Sequence, residues 1–423
     1  MRFLHLSDVH LGFQQYGLKE RFNDFGAAFE RAIAYGVSKR VDAILIAGDL
    51  FHKSAIEPSA YLQATKTLRS TREGGIPVIV VEGNHDQARY RDKVSWLDVL
   101  NSEGYILLLS TEFPQNLPCI LKPWDQETLK GAYIDIQNVR FVGLQWLGAS
   151  IPALFPEFAD KLSNLPLTNV NFTVLLTHAA LEGEISKVPI YLDNDHLQPL
   201  ATQVQYLALG HLHKPFEKNN WAFNPGSLEV YDFSEIIWAK GWYDVTVSPE
   251  GRKKVTRIES EHRPFFSEPF YADSYRDSAS LYRGLLDTVR KRARVWMKHK
   301  ELPIIEIMMQ GSLSFDRAEL DLKRIEDIVR EEVSVCHVVI NTTRMSSPGF
   351  ETIEDESLST DELELSVLRQ LAESDSRFAL QADYWAKSIL AIKQMALGGY
   401  SPVEILTTLQ AQVELAEGKN HDH

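Results

Sequence analysis

Five short segments constrain this chain more than anything else in its sequence, because each places metal-binding residue types just beyond a predicted strand. They are Asp8-Val9-His10, Gly48-Asp49-Leu50-Phe51-His52, Gly83-Asn84-His85-Asp86, Thr177-His178 and Gly210-His211-Leu212-His213. The preceding strands are read from the apolar runs Arg2–Ser7, Asp42–Ala47, Pro77–Glu82, Thr173–Thr177 and Tyr206–Leu209. A lone histidine after a strand is ordinarily a hydrogen-bonded structural residue. Five strand ends converging on one sheet edge are instead the geometry of an α/β active site. Gly48, Gly83 and Gly210 are expected to turn the backbone sharply so that the next side chains face that edge.

Between these runs lie helical patterns. Phe25, Phe29, Ile33 and Val37 recur at helical spacing within Phe22–Lys39, and further helices are read over Pro58–Arg72 and about Asp92–Asn101. From Tyr133 the strands come closer together (Tyr133–Ile136, Arg140–Gln145, Trp238–Val247), which suggests sheets packed face to face with helices outside. The expected fold is α/β, a layered two-sheet core with flanking helices. Residues 251–345 then read as a small αβαβ unit, with a helix over Ser278–Lys298, strands over Pro303–Gln310 and Val335–Asn341, and a helix over Arg317–Glu331. Residues 346–423 read as an acidic linker and a helical tail, with Ser401 as N-cap and Pro402 in the first turn of the last helix. Three domains are expected: 1–250, 251–345 and 346–423.

Charge is distributed unevenly. The net charge is −14, yet residues 345–423 alone hold 14 Asp and Glu against 5 Lys and Arg. Residues 250–300 go the other way, with 13 basic against 7 acidic residues. Global acidity argues against non-specific coating of nucleic acid but leaves room for a local basic track. No apolar run approaches the ~20 residues needed to cross a bilayer, and Asp8 and His10 interrupt the only apolar stretch near the N-terminus. A soluble, cytoplasmic protein without a membrane partner is expected. Cys119 and Cys336 lie far apart in apolar stretches and read as buried reduced thiols, which excludes a disulfide framework and a thiolate zinc site.

The donor types narrow the chemistry. Imidazole nitrogen mixed with carboxylate and amide oxygen suits manganese, iron or zinc, whereas an all-oxygen set would suit magnesium or calcium. Seven candidate ligands exceed one tetrahedral site and fit two ions that share a bridging carboxylate. Such a pair can clamp the attacking and leaving oxygens of a phosphoester.

The order DxH, GDxxH, GNHD, H and GHxH resembles that of the calcineurin-like metallophosphoesterase superfamily. Within it, DVHLG, GDLFH, EGNHD and LGHLHKP…NPGS are similar to the SbcD-type, or meiotic-recombination-eleven, repair nucleases. The motifs cover residues 1–247, and the following unit matches that family's capping domain in size and order. The resemblance implies that Asp8, His10 and His213 hold one ion, that Asp49 bridges, and that Asn84, His178 and His211 complete a second. It places His85 beside the scissile phosphate as a non-ligand that stabilises charge or protonates the leaving oxygen. For His52 it implies a non-ligand place near the site; the alternative is a hydrogen bond that orients Asp49. The metal motif shows no departure from the family pattern.

It further implies two manganese ions and exonuclease and endonuclease activity at DNA double-strand breaks. The partners it implies are double-stranded ends and single strands of DNA, a second copy of the chain, and an SbcC-type, SMC-like ATPase. No Walker A sequence is present, so any ATP-driven step would belong to that partner. The apolar residues Leu365, Leu368, Leu371, Trp385, Ile389, Ile392 and Met395 of the tail are candidates for docking on it. Arg89, Arg91 and Lys93 follow the GNHD loop, and Arg290, Lys291, Arg292, Arg294, Lys298 and Lys300 form the densest basic run, so Arg89, Arg91 and Lys93 and, from that run, Arg290, Lys291, Arg292 and Arg294 are candidates for contact with DNA phosphates. A solvated helix face is the plain alternative for each. A small-molecule nucleotide or cyclic-nucleotide phosphodiesterase on the same fold is the rival function; residues 256–343 and the tail argue against it, since a small substrate needs neither. His5, between Leu4 and Leu6, reads as structural.

Overall fold

The computed structural model describes residues 1–88, 94–115, 118–166, 169–184, 191–346, 360–374, 378–397 and 401–419. The chain divides into two compact units, one formed by residues 1–266 with 299–304 and the other by the remainder.

The first unit is built on two six-stranded sheets. The first sheet takes β1 (Arg2–Leu6), β2 (Ala43–Ala47), β3 (Val78–Val81) and β4 (Leu107–Leu108) in parallel array. The second takes β5 (Tyr133–Ile136), β6 (Val139–Leu144) and β7 (Phe172–His178). After a small ribbon of β8 (Ala180–Leu181) and β9 (Tyr191–Leu192), the second sheet is completed by β10 (Tyr206–Gly210), β11 (Phe216–Lys218) and β12 (Ala222–Asn224). The chain then returns to the first sheet with β13 (Gly241–Val247), antiparallel to β1, and β14 (Lys253–Glu259), antiparallel to β13.

Strand alternation assigns every apolar residue to a layer. Leu4, Leu6, Ile44, Ile46, Val78 and Val80 pack outward against α1 (Lys19–Lys39), α2 (Pro58–Glu73) and α3 (Trp96–Ser102). Their neighbours Phe3, Leu45, Ile79 and Val81 point inward to meet Phe141, Val174, Leu176, Tyr206 and Phe223 of the second sheet. Val142, Leu175, Leu207 and Leu209 face the far side, under Phe155, Phe158 and Leu162 of α4 (Ile151–Ser163). A short α5 (Asn194–Leu197) closes that layer. Each large side chain so buried contributes ~1.5–3 kcal/mol, which pins the register, because a one-residue slip would turn every strand inside out. This is the expected layered two-sheet α/β fold. His5 lies in the inter-sheet layer, fully buried between the Tyr206 hydroxyl and the Leu209 carbonyl at 3.0 Å each. Burial pulls its imidazole down to about 3, so it is a neutral structural residue.

The second unit has a three-stranded sheet of β15 (Phe265–Tyr271), β16 (Ile304–Ser312) and β17 (His337–Ser346), with α6 (Ser278–Trp296) and α7 (Leu322–Glu332). Leu281, Leu285, Val289 and Trp296 of α6 are buried, as their helical spacing indicates. The αβαβ reading thus gains a leading strand. β15 carries Pro269 and an irregular burial pattern, and its edge position tolerates the missing N–H. β14, by contrast, pairs along its whole length with β13 in the first unit. In the tail, α8 (Thr360–Ser374) and α10 (Pro402–Lys419) both pack on α9 (Ala382–Leu397), and Ser401 and Glu404 cap α10 reciprocally. Among the described residues no helix is long and apolar enough to cross a membrane.

Candidate metal centre

All five donor segments leave the C-terminal ends of parallel strands, three from the first sheet (β1, β2, β3) and two from the second (β7, β10). The site therefore straddles two sheets rather than lining one edge. The sheets pinch together there. A Cβ on Gly210 would lie 2.0 Å from the Ala47 carbonyl oxygen, and one on Gly83 would lie 2.1 Å from Asp49 Oδ1. Of the three glycines singled out from the sequence, only Gly48 is at a positive φ, of 80°; Gly83 and Gly210 are required for close approach instead.

The sharp turns fall on the donors themselves. Asp8, His10, Asp49 and His211 have φ of 50°, 51°, 53° and 87°, a region that costs a non-glycine residue ~1–3 kcal/mol. Packed backbone holds them in it. Asp8 N–H donates to the Gly48 carbonyl, Val9 and His10 N–H to that of Asp49, and Leu11 N–H to that of Leu50, at 2.9–3.2 Å. Asp86 adds a second clasp, for its buried carboxylate accepts from the backbone N–H of Gly83, Leu50 and Phe51 at 3.0–3.3 Å. Burial and the nearby Asp49 push that carboxyl up to about 7.

The seven sequence-predicted donors come together. Nε2 of His10 and Nε2 of His213 face each other at 3.0 Å, with Asp8 Oδ1 3.9 Å from the latter. Asn84 Oδ1 lies 3.0 Å from His178 Nε2 and 3.1 Å from His211 Nδ1, and Asp49 Oδ2 is 3.4 Å from His178 Nε2. Asp8, Asp49 and His178 also form a cluster with ligand atoms within 4.8 Å of one another. His178 Nδ1–H donates to the Ala47 carbonyl at 2.7 Å, which turns Nε2 toward the acceptor oxygens of Asn84 and Asp49. Those oxygens are satisfied either by a proton on Nε2 or by a cation bound in its place. Burial alone would lower the His178 pKa, but Asp49, Asp8 and the carbonyl outweigh it and raise it to about 9. Burial would likewise raise Asp49, yet His178 and its neighbours hold it far below the carboxylate range. The mixture of imidazole nitrogens with carboxylate and amide oxygens fits divalent ions of the first transition row.

His85 stands at the open rim, its side chain 33% exposed and its Nε2 4.0 Å from Asp49 Oδ2. Its Nδ1–H donates to the His52 carbonyl, and its backbone N–H to Asp49 Oδ1 at 2.9 Å. The His52 ring makes no hydrogen bond to Asp49, and its buried Nδ1 has no partner among the described residues. Instead it lies between Phe13, at a centroid distance of 4.1 Å, and His85, at 5.6 Å. Phe13 rests in turn on Tyr231 at 4.6 Å. Burial, His85 and Lys53 lower the His52 imidazole to about 4.

Two residues escaped the sequence reading. Glu235 Oε1 accepts from His213 Nδ1–H at 2.6 Å, the carboxylate–histidine pairing that fixes a ligand's tautomer and raises its basicity. Its other oxygen accepts from the fully buried Lys240 ammonium at 2.5 Å. Although burial would raise it, His213 and Lys240 hold the Glu235 carboxyl down at about 2. Nothing in the spacing of Glu235 or Lys240 distinguishes them from other charges, and only the turn over Phe233–Glu235 brings them under His213. Glu235→Gln should weaken manganese affinity by roughly 10–100-fold, the usual cost of losing such a partner, and should lower thermal stability as Lys240 loses its counter-charge. Calorimetric manganese titration well below the melting temperature checks this, and an unchanged Kd would count against it.

The expected phosphate contacts divide. Arg89, Arg91 and Lys93 lie outside the described residues. Arg290, Lys291, Arg292 and Arg294 are exposed on α6 of the second unit. There Arg290 pairs with Glu332 and Arg292 with Glu268, both at 2.8 Å, so among the described residues Lys291 and Arg294 remain the uncompensated cations.

Comparison with known proteins agrees with this geometry. The calcineurin-like phosphoesterase family matches residues 1–215. The DNA double-strand break repair protein Mre11 of Sulfolobus acidocaldarius is 32% identical over 366 residues, 85% of this chain and 86% of that protein. Mre11 of Aeropyrum pernix is 26% identical over 335 residues, 75% of each chain. Mre11 of Archaeoglobus fulgidus is 31% identical over 278 residues, which are 63% of this chain and span only 59% of that protein's length. Both the ligand-bearing strand ends and these likenesses lead to one assignment: the chain belongs to the calcineurin-like phosphoesterase family and, within it, to the family of Mre11 DNA double-strand break repair proteins.

Proposed function

We propose that this phosphoesterase is a manganese-dependent DNA nuclease, with exonuclease and endonuclease activity, that processes double-strand breaks as a homodimer bound to an SbcC-type ATPase. The observation that carries the chemistry is the convergence of six donors, in two groups of three, on the buried Asp49. In this reading Asp8, His10 and His213 would hold one ion and Asn84, His178 and His211 the other, with Asp49 available to both. When bound, the ions would supply the Lewis acidity that a phosphodiester needs.

The chain's own residues do the rest. Glu235 keeps His213 in the tautomer that presents Nε2, and the Ala47 carbonyl does the same for His178. His85, held through Nδ1, offers Nε2 to the leaving oxygen. His52 braces it from behind. Lys291 and Arg294, with Arg290 and Arg292, give a sequence-independent hold on phosphates. In the tail, Leu371 and Ile389 are exposed among the residues singled out from the sequence, whereas Leu365, Leu368, Trp385, Ile392 and Met395 are half-buried; with Leu363 and Val367 on α8 and Val403 and Leu406 on α10, also exposed, they give apolar surface that suits an ATPase partner's helices. The repair activity named for the relatives above supports the DNA substrate over a small nucleotide.

The decisive assay offers purified full-length protein, in manganese and in magnesium, a labelled duplex with ends, a single strand and a cyclic nucleotide. Metal-dependent cleavage of both DNA forms, strongest in manganese, is the expected result. Hydrolysis of the cyclic nucleotide with both DNAs left intact would replace this reading with the small-molecule one.

A further inference from the structure

A cavity of about 300 Å³ opens beside the metal centre, between the loop after β1, helix α1 and the entry to α2. Phe13, Phe22 and Ile56 form its apolar walls, and Gln14, His52, Lys53 and Glu57 its polar ones. His52 is common to both places: one side of the residue lines this cavity, while its ring lies 5.6 Å from His85 and 5.8 Å from His10. A substrate group in the cavity is therefore one imidazole away from the position where a phosphodiester would meet His85. None of the seven donors lines the cavity, and of the residues given a role above only His52 does.

We propose that this cavity receives one unpaired nucleobase of the strand being cut, the base next to the scissile phosphate. The inference rests on the nuclease reading and adds to it a place for the base. Its size decides the ligand class: it falls at the lower end of the ~300–1,000 Å³ range of small-molecule sites. That space admits one flat heterocycle. Its walls suit a base from any of the four nucleotides. His52 and Tyr231 pack on Phe13 at 4.1 and 4.6 Å but lie only 5.7 Å from each other, so they do not cover opposite faces of its ring, and Phe13, Phe22 and Ile56 together contribute the apolar surface. Gln14 offers an amide that both donates and accepts, and the exposed Lys53 a cation for base oxygens or the adjoining phosphate. A duplex end would have to fray before its terminal base could enter, at a cost of a few kcal/mol for unstacking. The cavity consequently favours frayed ends and single strands over closed duplex.

The test uses the full chain with manganese and single-stranded oligonucleotides, either intact or with one abasic nucleotide flanking a mapped phosphodiester. Single-turnover cleavage at that bond is the readout, and hydrolysis of methyl p-nitrophenyl phosphate, which has no base, monitors the metal centre. The parent protein should cut the abasic bond roughly tenfold more slowly than the intact one, the scale of one lost base contact. Ile56→Trp, which fills the cavity, and Phe22→Ala, which removes a wall, should slow the intact strand by a similar factor and leave the abasic strand and the small ester at parental rates. Equal slowing on intact and abasic strands overturns the proposal, as does an abasic strand cut by the parent at the intact rate. A parent protein that hydrolyses the small ester but cuts no oligonucleotide would overturn the nuclease reading, and the base pocket with it.

Discussion

Asp49→Asn should abolish DNA cleavage while leaving the fold in place. The carboxylate stands where both donor groups meet: Oδ1 accepts the His85 backbone N–H, and Oδ2 faces His178 Nε2. Asparagine keeps the shape and one oxygen, so the loop bond to His85 can persist. It removes the negative charge that offsets the surrounding imidazoles and any ions they hold, and it turns an N–H₂ toward one side. Charge stabilisation by bound metal is worth several kcal/mol in a transition state, and ~1.36 kcal/mol is a factor of ten. Cleavage should thus fall by about a thousandfold or more, with manganese content dropping from two ions toward one or none. Metal analysis of the dialysed protein, circular dichroism and single-turnover cleavage together check this. Two tightly held ions and near-parental cleavage in this variant would remove Asp49 from the centre of the site.

His85→Gln is expected to separate catalysis from metal binding. His85 and Asn84 are adjacent, yet their side chains diverge: Asn84 Oδ1 lies among His178 and His211, whereas His85 is at the exposed rim. The His52 carbonyl engages Nδ1–H of His85, which leaves Nε2 as the edge that can meet substrate. Glutamine can still donate to the His52 carbonyl but can neither deliver a proton nor carry the charge of an imidazolium. The rate should fall by ~10²–10⁴, the usual worth of general acid–base help, with both manganese ions and DNA affinity retained. Asn84→Ala, in contrast, should lose an ion. Anomalous scattering at the manganese edge counts the ions, and rapid-quench cleavage gives the rate. Should His85→Gln lose an ion or cut at the parental rate, the role assigned to His85 is wrong.

These two predictions were legible in the sequence because strand ends are local features. An apolar run of five or six residues followed by Asp, Asn or His can be read one segment at a time, and so can the helical spacing of Phe25, Phe29 and Ile33 on α1. The same holds for the donor types in the five segments and their preference among metals, which follow from side-chain chemistry; the division into seven ligands and two non-ligand histidines is what the family resemblance implies.

Tertiary structure decided what depends on residues far apart or on backbone conformation. That the donors bridge two sheets is set by inter-sheet packing of Phe3 and Leu45 against Val174 and Tyr206, which no single segment encodes. Glu235 reaches His213 across a turn and acquires its role only through burial beside Lys240. β14 joins the first sheet through its pairing with β13, although its own residues alternate like those of many surface strands. The left-handed φ at Asp8, His10, Asp49 and His211 runs against the intrinsic preference of those residues. Only the network of loop bonds from Asp8 to Leu11, clasped by Asp86, makes it the lowest state. The sequence by itself thus determined which groups can bind metal and on which strands they sit. Where each donor atom points was decided by long-range packing, because side-chain direction at a strained turn is fixed by its neighbours in space and not by its neighbours in the chain.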